Sequence, residues 1–191
     1  MNVGYTYFNT INGNTMLGFD TSSLGIPRNA TSNQAFPLIV ATVAVEQADY
    51  ARGAAMYERA LSIEAKNAYL HFLLAETLSK IPSSAAAMIE KHLKRAVEID
   101  PTFAQAHLAL GKLEARNSRW QEAAGEFEQA VKYEPQLAEA HYQLGRVLTR
   151  LKRPSEAQTA FEKHKKLSET QTTKKETDRR EYVRRLANVR F

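Results

Sequence analysis

The chain has 191 residues, 43% of them hydrophobic and 25% charged, with a net charge of +5 and no cysteine. That length suits one compact domain or a short solenoid, and the lack of cysteine excludes a disulfide framework and a thiolate zinc site. No apolar run is long enough to span a bilayer as a helix, so no transmembrane segment is expected.

Residues 1–33 open the chain with a composition of their own. Tyr5, Thr6, Tyr7 and Phe8, followed by the Asn12–Gly13 pair, carry strand and hairpin signals. A lone hairpin is marginal in water, so this segment is expected to be irregular or disordered. Asn29-Ala30-Thr31 is a formal glycosylation sequon. No basic region followed by an apolar stretch precedes it, so no secretory signal is visible. A cytoplasmic location is therefore favoured, with a periplasmic one left open.

Helical spacing begins after residue 33. Pro37, Val40, Ala41 and Ala44 fit a first helix, and Gly53, Tyr57, Ala60 and Ala65 a second. His71, Leu74, Ala75 and Leu78 repeat the first pattern; Ile89, Leu93, Ala96 and Pro101 repeat the second. Next, Ala104-Gln105-Ala106-His107-Leu108-Ala109-Leu110-Gly111 recurs as Ala138-Glu139-Ala140-His141-Tyr142-Gln143-Leu144-Gly145, an offset of 34 residues. At the same offset Ala123 matches Ala157 and Phe127 matches Phe161. Ala123, Phe127, Ala130 and Val131 fall on one helical face, and Pro135 ends that helix or opens the next. Small residues at Gly111 and Ala123 let two helices approach closely, with Phe127 filling the space between them. The step from His71 to His107 is 36, and its extra residues fall naturally in the turn at Ile81-Pro82-Ser83-Ser84. Four units follow from this pattern, at 34–67, 68–103, 104–137 and 138–171. One helix pair cannot bury its apolar faces alone, so the units must stack.

The period and the run of Leu110, Gly111, Ala123, Phe127, Ala130 and Pro135, echoed by Leu144, Gly145, Ala157 and Phe161, resemble the tetratricopeptide repeat. The first two units match less closely, with Ala41 and Ala75 at the glycine position. The resemblance implies an all-α fold, a right-handed α-α superhelix with a concave groove lined by the first helix of each unit. It also implies that four positions of each first helix face that groove. Mapped here, these positions give a candidate partner-binding surface of Tyr69, Phe72, Glu76, Gln105, Leu108, Lys112, Tyr142 and Arg146. Such a floor, with Lys112 and Arg146 at one end, suits an extended or helical peptide carrying apolar anchors and an acidic group. A known variant of the family grips a terminal carboxylate through Lys and Asn in its first unit. Leu38 and Thr42 stand at those positions, so that mode is not expected.

The basic excess lies at the far end. Residues 163–191 hold ten Lys and Arg against four Asp and Glu, a net +6, which leaves −1 for the remainder. Tyr182, Val183, Leu186 and Val189 share a helical face, with Arg179, Arg180, Arg184, Arg185 and Arg190 mostly elsewhere. Residues 172–191 are read as a basic amphipathic capping helix.

No chemistry-bearing constellation competes with this reading. His71, His107 and His141 share one repeat position. Metal–imidazole bonds are about 2 Å while helices pack roughly 8–10 Å apart, so successive units cannot share an ion. The sequence has no G-x-S-x-G, no H-E-x-x-H and no phosphate-cradling glycine loop. No cofactor, no metal and no catalysis are expected. The leading function is a scaffold that binds a protein or peptide in the groove. Two alternatives stand beside it: binding of an anionic surface or nucleic acid through the basic tail, and a structural role in a larger assembly. Nucleic acid is not the expected partner, because the tail lacks the interleaved aromatics of single-strand binders. The sequence leaves the oligomeric state open.

Overall fold

The computed structural model describes residues 32–187 apart from 83 and 85, and the side chains of 32–36 and 182–187 lie outside the description. The strand and hairpin signals at Tyr5–Phe8 and Asn12–Gly13 and the sequon at Asn29 therefore fall outside the described residues. So do the side chains of Tyr182, Val183, Arg184, Arg185 and Leu186, together with Val189 and Arg190.

Every described element is a helix. In chain order they are α1 (Ser32–Glu46), α2 (Tyr50–Ile63), α3 (Ala68–Leu78), α4 (Ala86–Ile99), α5 (Ala104–Arg116), α6 (Trp120–Tyr133), α7 (Ala138–Arg150) and α8 (Pro154–Ala187). The first compact unit ends at Pro101 and the second begins at Thr102. In the first, α1 packs on α2, α2 on α3 and α3 on α4; in the second, α5 packs on α6, α6 on α7 and α7 on α8, with α5 also meeting α7.

Three of the four helix pairs turn in the same way. Ala48, Ser118 and Lys152 adopt positive φ, at 60°, 61° and 58°. In the second of these turns Ser118 N–H donates to Ala115 O (3.1 Å), and Arg119 N–H donates to Glu114 O (2.9 Å). This is a Schellman arrangement, which satisfies carbonyls left open at the helix end. Arg119 then stands as the N-cap of α6, so one residue closes a helix and opens the next. Asp49 does the same for α2 and adds a side-chain cap, accepting from Arg52 N–H at 3.2 Å. The α3–α4 connection is longer, because Pro82 and its neighbours replace this three-residue turn.

Each unit has its own core. Leu38, Ala41, Ala54, Tyr57, Ala60, Leu61, Leu70 and Leu74 form the first. The second is built on Leu108, Ala123, Ala124, Phe127, Ala130, Ala140, Leu144, Val147, Leu148, Ala157 and Ala160. Gly111 matters because a Cβ there would lie 2.6 Å from Phe127 Cε1, and one at Gly145 would lie 2.7 Å from Phe161 Cε1. Helix α5 thus approaches α6, and α7 approaches α8, so closely that a Cβ at either glycine would require the facing phenylalanine to move.

The repeat also shows why stacking stops at α8. Trp120, Ala124 and Val131 belong to the core or pack on it. Thirty-four residues on, the equivalents are Pro154, Gln158 and Lys165, and all three are exposed. Phe127 is fully buried, while its equivalent Phe161 is half-buried. A solenoid must end on a face that water can wet, and α8 supplies it through substitution within the repeat.

The segment expected to cap the chain, 172–191, is continuous with α8 as far as Ala187. Helix α8 runs unbroken for 34 residues, from Pro154 to Ala187. No Pro or Gly interrupts it after Pro154. Its hydroxyl residues bond back to the preceding turn instead of breaking it, as Thr170 does to Lys166 O and Thr173 to Glu169 O, both at 2.9 Å. Side chains from Glu169 to Glu181 are exposed on every face, so this stretch buries no apolar stripe.

Candidate functional site

A groove of about 1060 Å³ opens in the second unit. Its walls are the first helices of the two pairs, Lys112 and Arg116 on α5 facing Glu139, Gln143, Arg146 and Arg150 on α7. Ala115, Trp120, Val147 and Phe161 supply an apolar floor, and Lys152 closes one end from the α7–α8 turn. Five cations thus meet one carboxylate. Lys112 Nζ takes that carboxylate, at 2.6 Å from Glu139 Oε1. Arg146 Nη1 donates to Gln143 Oε1 at 3.2 Å, and its guanidinium lies 5.8 Å from the Tyr142 ring. The Arg150 guanidinium lies 5.9 Å from the ring of Trp120, the sole tryptophan of the chain. Among the described residues, Arg116, Arg146, Arg150 and Lys152 form no ion pair. Cations gathered in one concavity repel each other and create a field that attracts anions.

The structure brings some of the sequence-derived residues together and scatters others. Lys112 and Arg146 line the groove. Leu108 does not. It is 6% exposed and belongs to the core of the second unit, where an apolar side chain is removed from water. Tyr142 is 41% exposed but turns toward α8, with its ring 6.1 Å from Phe161 and 5.2 Å from His164. Gln105 Nε2 donates to Glu134 Oε2 at 2.7 Å, tying α5 to the end of α6. Tyr69, Phe72 and Glu76 lie on α3 in the first unit, where the Tyr69 and Phe72 rings stack at 6.4 Å. Arg179 and Arg180 are exposed on α8; the side chains of Arg184 and Arg185 are outside the described residues.

Sequence mapping missed Arg116, Trp120, Gln143 and Arg150. One signal was available: Arg116 and Arg150 are separated by the same 34 residues that relate Lys112 to Arg146.

The tetratricopeptide repeat family model matches residues 78–131 and 108–171. This chain is a tetratricopeptide-repeat protein. A crystal structure of MamA is similar over 74% of this chain and 82% of its own, at 15% identity and a TM-score of 0.67. MamA from Desulfovibrio magneticus RS-1 is similar over 74% and 78%, at 18% identity and a TM-score of 0.63. YrrB, a TPR protein with an unusual peptide-binding site, is similar over 71% and 69%, at 23% identity and a TM-score of 0.60. At these identities the likeness concerns the fold, which is the all-α tetratricopeptide solenoid. No curated protein matches the chain in sequence. Members of the family are typically non-catalytic interaction scaffolds, and the fold of this chain supports a protein-interaction module.

Two further features of the repeats are structural. His71 Nε2 and His141 Nε2 donate to the carbonyls of Ala65 and Pro135, at 3.2 and 3.0 Å, in the turn before each first helix. His107 differs, pairing through Nδ1 with Glu126 Oε2 at 2.7 Å. Each histidine thus has its own partner, and no group of three metal-ligating side chains occurs among the described residues. At the terminal-carboxylate positions, Leu38 is buried and the Thr42 hydroxyl donates to Leu38 O at 2.9 Å.

Proposed function

We propose that this protein binds a partner peptide in the groove of its second unit, and that the peptide carries carboxylates and an apolar anchor. One observation carries the reading. Four cations without a carboxylate partner among the described residues stand around an apolar floor in the concave wall that α5 and α7 share. An acidic peptide would relieve their repulsion, while its apolar side chain would cover Ala115 and Val147. Peptides selected from a displayed random library on the whole chain should be rich in Asp and Glu. They should shift the emission of Trp120, and should lose at least about tenfold in affinity for Arg116→Glu/Arg150→Glu. Selected peptides that bind this variant equally and leave Trp120 unmoved would place the site elsewhere.

The exposed second half of α8 favours a weaker second reading, attraction to an anionic surface. Between residues 165 and 181 it carries six Lys and Arg, but four Asp and Glu lie among them. The net charge of that stretch is +2, so any such binding should be shallow and vanish with added salt.

A further inference from the structure

We propose that residues 1–31 dock on the outer face of α1 and close the first end of the stack. The proposal concerns the first unit and stands apart from the peptide groove. The repeat itself says what that face of α1 is for. Leu70, Leu74 and Thr77 on α3 occupy the same repeat positions as Ala140, Leu144 and Val147 on α7. All six are buried, because there each first helix meets the second helix of the pair before it. Leu70 and Leu74 share a core with Ala54 and Tyr57 of α2. Ala140, Leu144 and Val147 share one with Ala124 and Phe127 of α6. Thr77 also stands beside α2, since a Cβ at Gly53 would lie 3.5 Å from its Cγ2.

On α1 the same three positions hold Phe36, Val40 and Val43. The side chain of Phe36 lies outside the described residues, Val40 is half-buried and Val43 is 41% exposed. Among the described residues no second helix precedes α1. Helix α1 therefore presents the apolar side chains that receive a preceding helix elsewhere in the stack.

The two ends of the repeat array differ in this respect. At α8 the outward positions become Gln158 and Lys165, which water can wet. At α1 no such replacement occurs. From Phe36 to Val45 every residue but Thr42 is apolar. A helix that is apolar nearly all round belongs in an interior, and an uncovered end of a repeat stack needs a polar outer face.

Residues 1–31 suit the vacancy by position and by chemistry. They join α1 directly at Ser32, and only Asp20 and Arg28 among them are charged. Phe19, Leu24 and Ile26 are the nearest large apolar residues. From Ser32 to Val43 the helix rises about 16 Å, a span that about five extended residues cover. Leu24 and Ile26 can thus reach back along α1 to Val43, and Gly25 and Pro27 favour the reversal of direction this requires. The tether also gives the segment a high effective concentration that a separate molecule lacks.

The test uses full-length chains. The protein has no cysteine, so a single introduced thiol reports on one position. Val43→Cys places it on the outer face of α1; Ile63→Cys, at the end of α2 where Ile63 is 47% exposed, serves as the open reference. Access alone would give the two thiols similar rates with a maleimide. A cover that must open first should slow the Val43→Cys thiol by about tenfold or more. Adding Phe19→Ser/Leu24→Ser/Ile26→Ser should raise its rate to that of Ile63→Cys and leave the reference unchanged. Circular dichroism confines the comparison to folded chains, and Phe19→Ser or Ile26→Ser alone, each giving part of the increase, replaces the triple variant if that variant does not fold. A Val43→Cys rate that ignores every serine substitution overturns the proposal. A thiol open from the outset would then mark a free face, and one that opens only on dilution would assign the face to a second copy of the chain.

Discussion

Three glycines of the second unit allow its packing to be measured from the inside. Gly125 lies on α6, and a methyl added there would meet nothing within 4 Å, whereas methyls at Gly111 and Gly145 would meet Phe127 and Phe161 at 2.6 and 2.7 Å. Replacing a mid-helix glycine by alanine gains about 0.8–1 kcal/mol from helix propensity alone. Gly125→Ala should keep that gain and raise the melting midpoint by about 2–4 °C. At Gly111 the methyl would sit about 1 Å inside ordinary carbon contact. Phe127 is 0% exposed and has no space to retreat into. Overpacking of this kind costs about 1–3 kcal/mol, so after the propensity gain Gly111→Ala should lose up to about 2 kcal/mol net. Phe161 is half-buried at the open end of the stack and can swing aside. Gly145→Ala should therefore come out near wild type. Urea unfolding followed by far-ultraviolet circular dichroism and by Trp120 fluorescence gives the order. The fluorescence probe belongs to the same unit, which matters if repeats lose cooperativity. A Gly111→Ala protein at least as stable as wild type would refute the close approach. Gly145→Ala falling as far as Gly111→Ala would refute the difference between the two phenylalanines.

Three further outcomes follow from the same interior. Phe127→Ala should cost about 3–5 kcal/mol and Phe161→Ala clearly less, which paired denaturation curves will show. Glu114 is 5% exposed and is held by Arg119, whose side chain is 39% exposed. Arg119→Ala should cost about 1–3 kcal/mol, below the range for a fully buried pair because water reaches the arginine. Glu114→Leu/Arg119→Ala should recover most of that, since Leu148 fills the equivalent position; a double variant no better than the single would contradict this. His71 and His92 face each other with Nδ1 atoms 2.9 Å apart. His71 Nε2 donates to Ala65 O, so in the neutral pair His92 Nδ1–H donates to His71 Nδ1. Burial pulls both imidazoles below their ordinary pKa of 6.5, and the facing His71 and nearby Lys91 add to this at His92. The unfolded chain then takes up more protons, so this contribution is complete above 6.5 and shrinks as pH falls below it. His71→Asn/His92→Gln should flatten the decline in melting temperature below that point. Part of the slope should remain, because burial also lowers His141.

The sequence made the helix pairs legible because the period of 34 carries its own physics: glycine opposite phenylalanine, a fixed turn, and small residues along the seam. The groove was harder to read because a position number does not say which way a side chain turns. Position five of the first helix holds Leu108 in one pair and Tyr142 in the next. The leucine drops into the core, and the tyrosine leans on His164 and Phe161. Charge was the better guide than position. Lys112, Arg116, Arg146 and Arg150 recur at the repeat period, and an arginine side chain gains nothing from turning into an apolar core. The His71–His92 contact left no such trace, since it joins two helices within one pair at a separation outside the period. Legibility differed again in the tail. Its apolar stripe at Tyr182, Val183, Leu186 and Val189 reads as a capping helix, whereas a helix of its own would need a break before it. Between Pro154 and Ala187 the chain has no such break, and threonines that bond to the previous turn let α8 continue. A terminus of this repeat is therefore better sought in the residues that face the missing next unit. Ala124 becoming Gln158 and Val131 becoming Lys165 mark the end of the stack seventeen or more residues before the stripe begins.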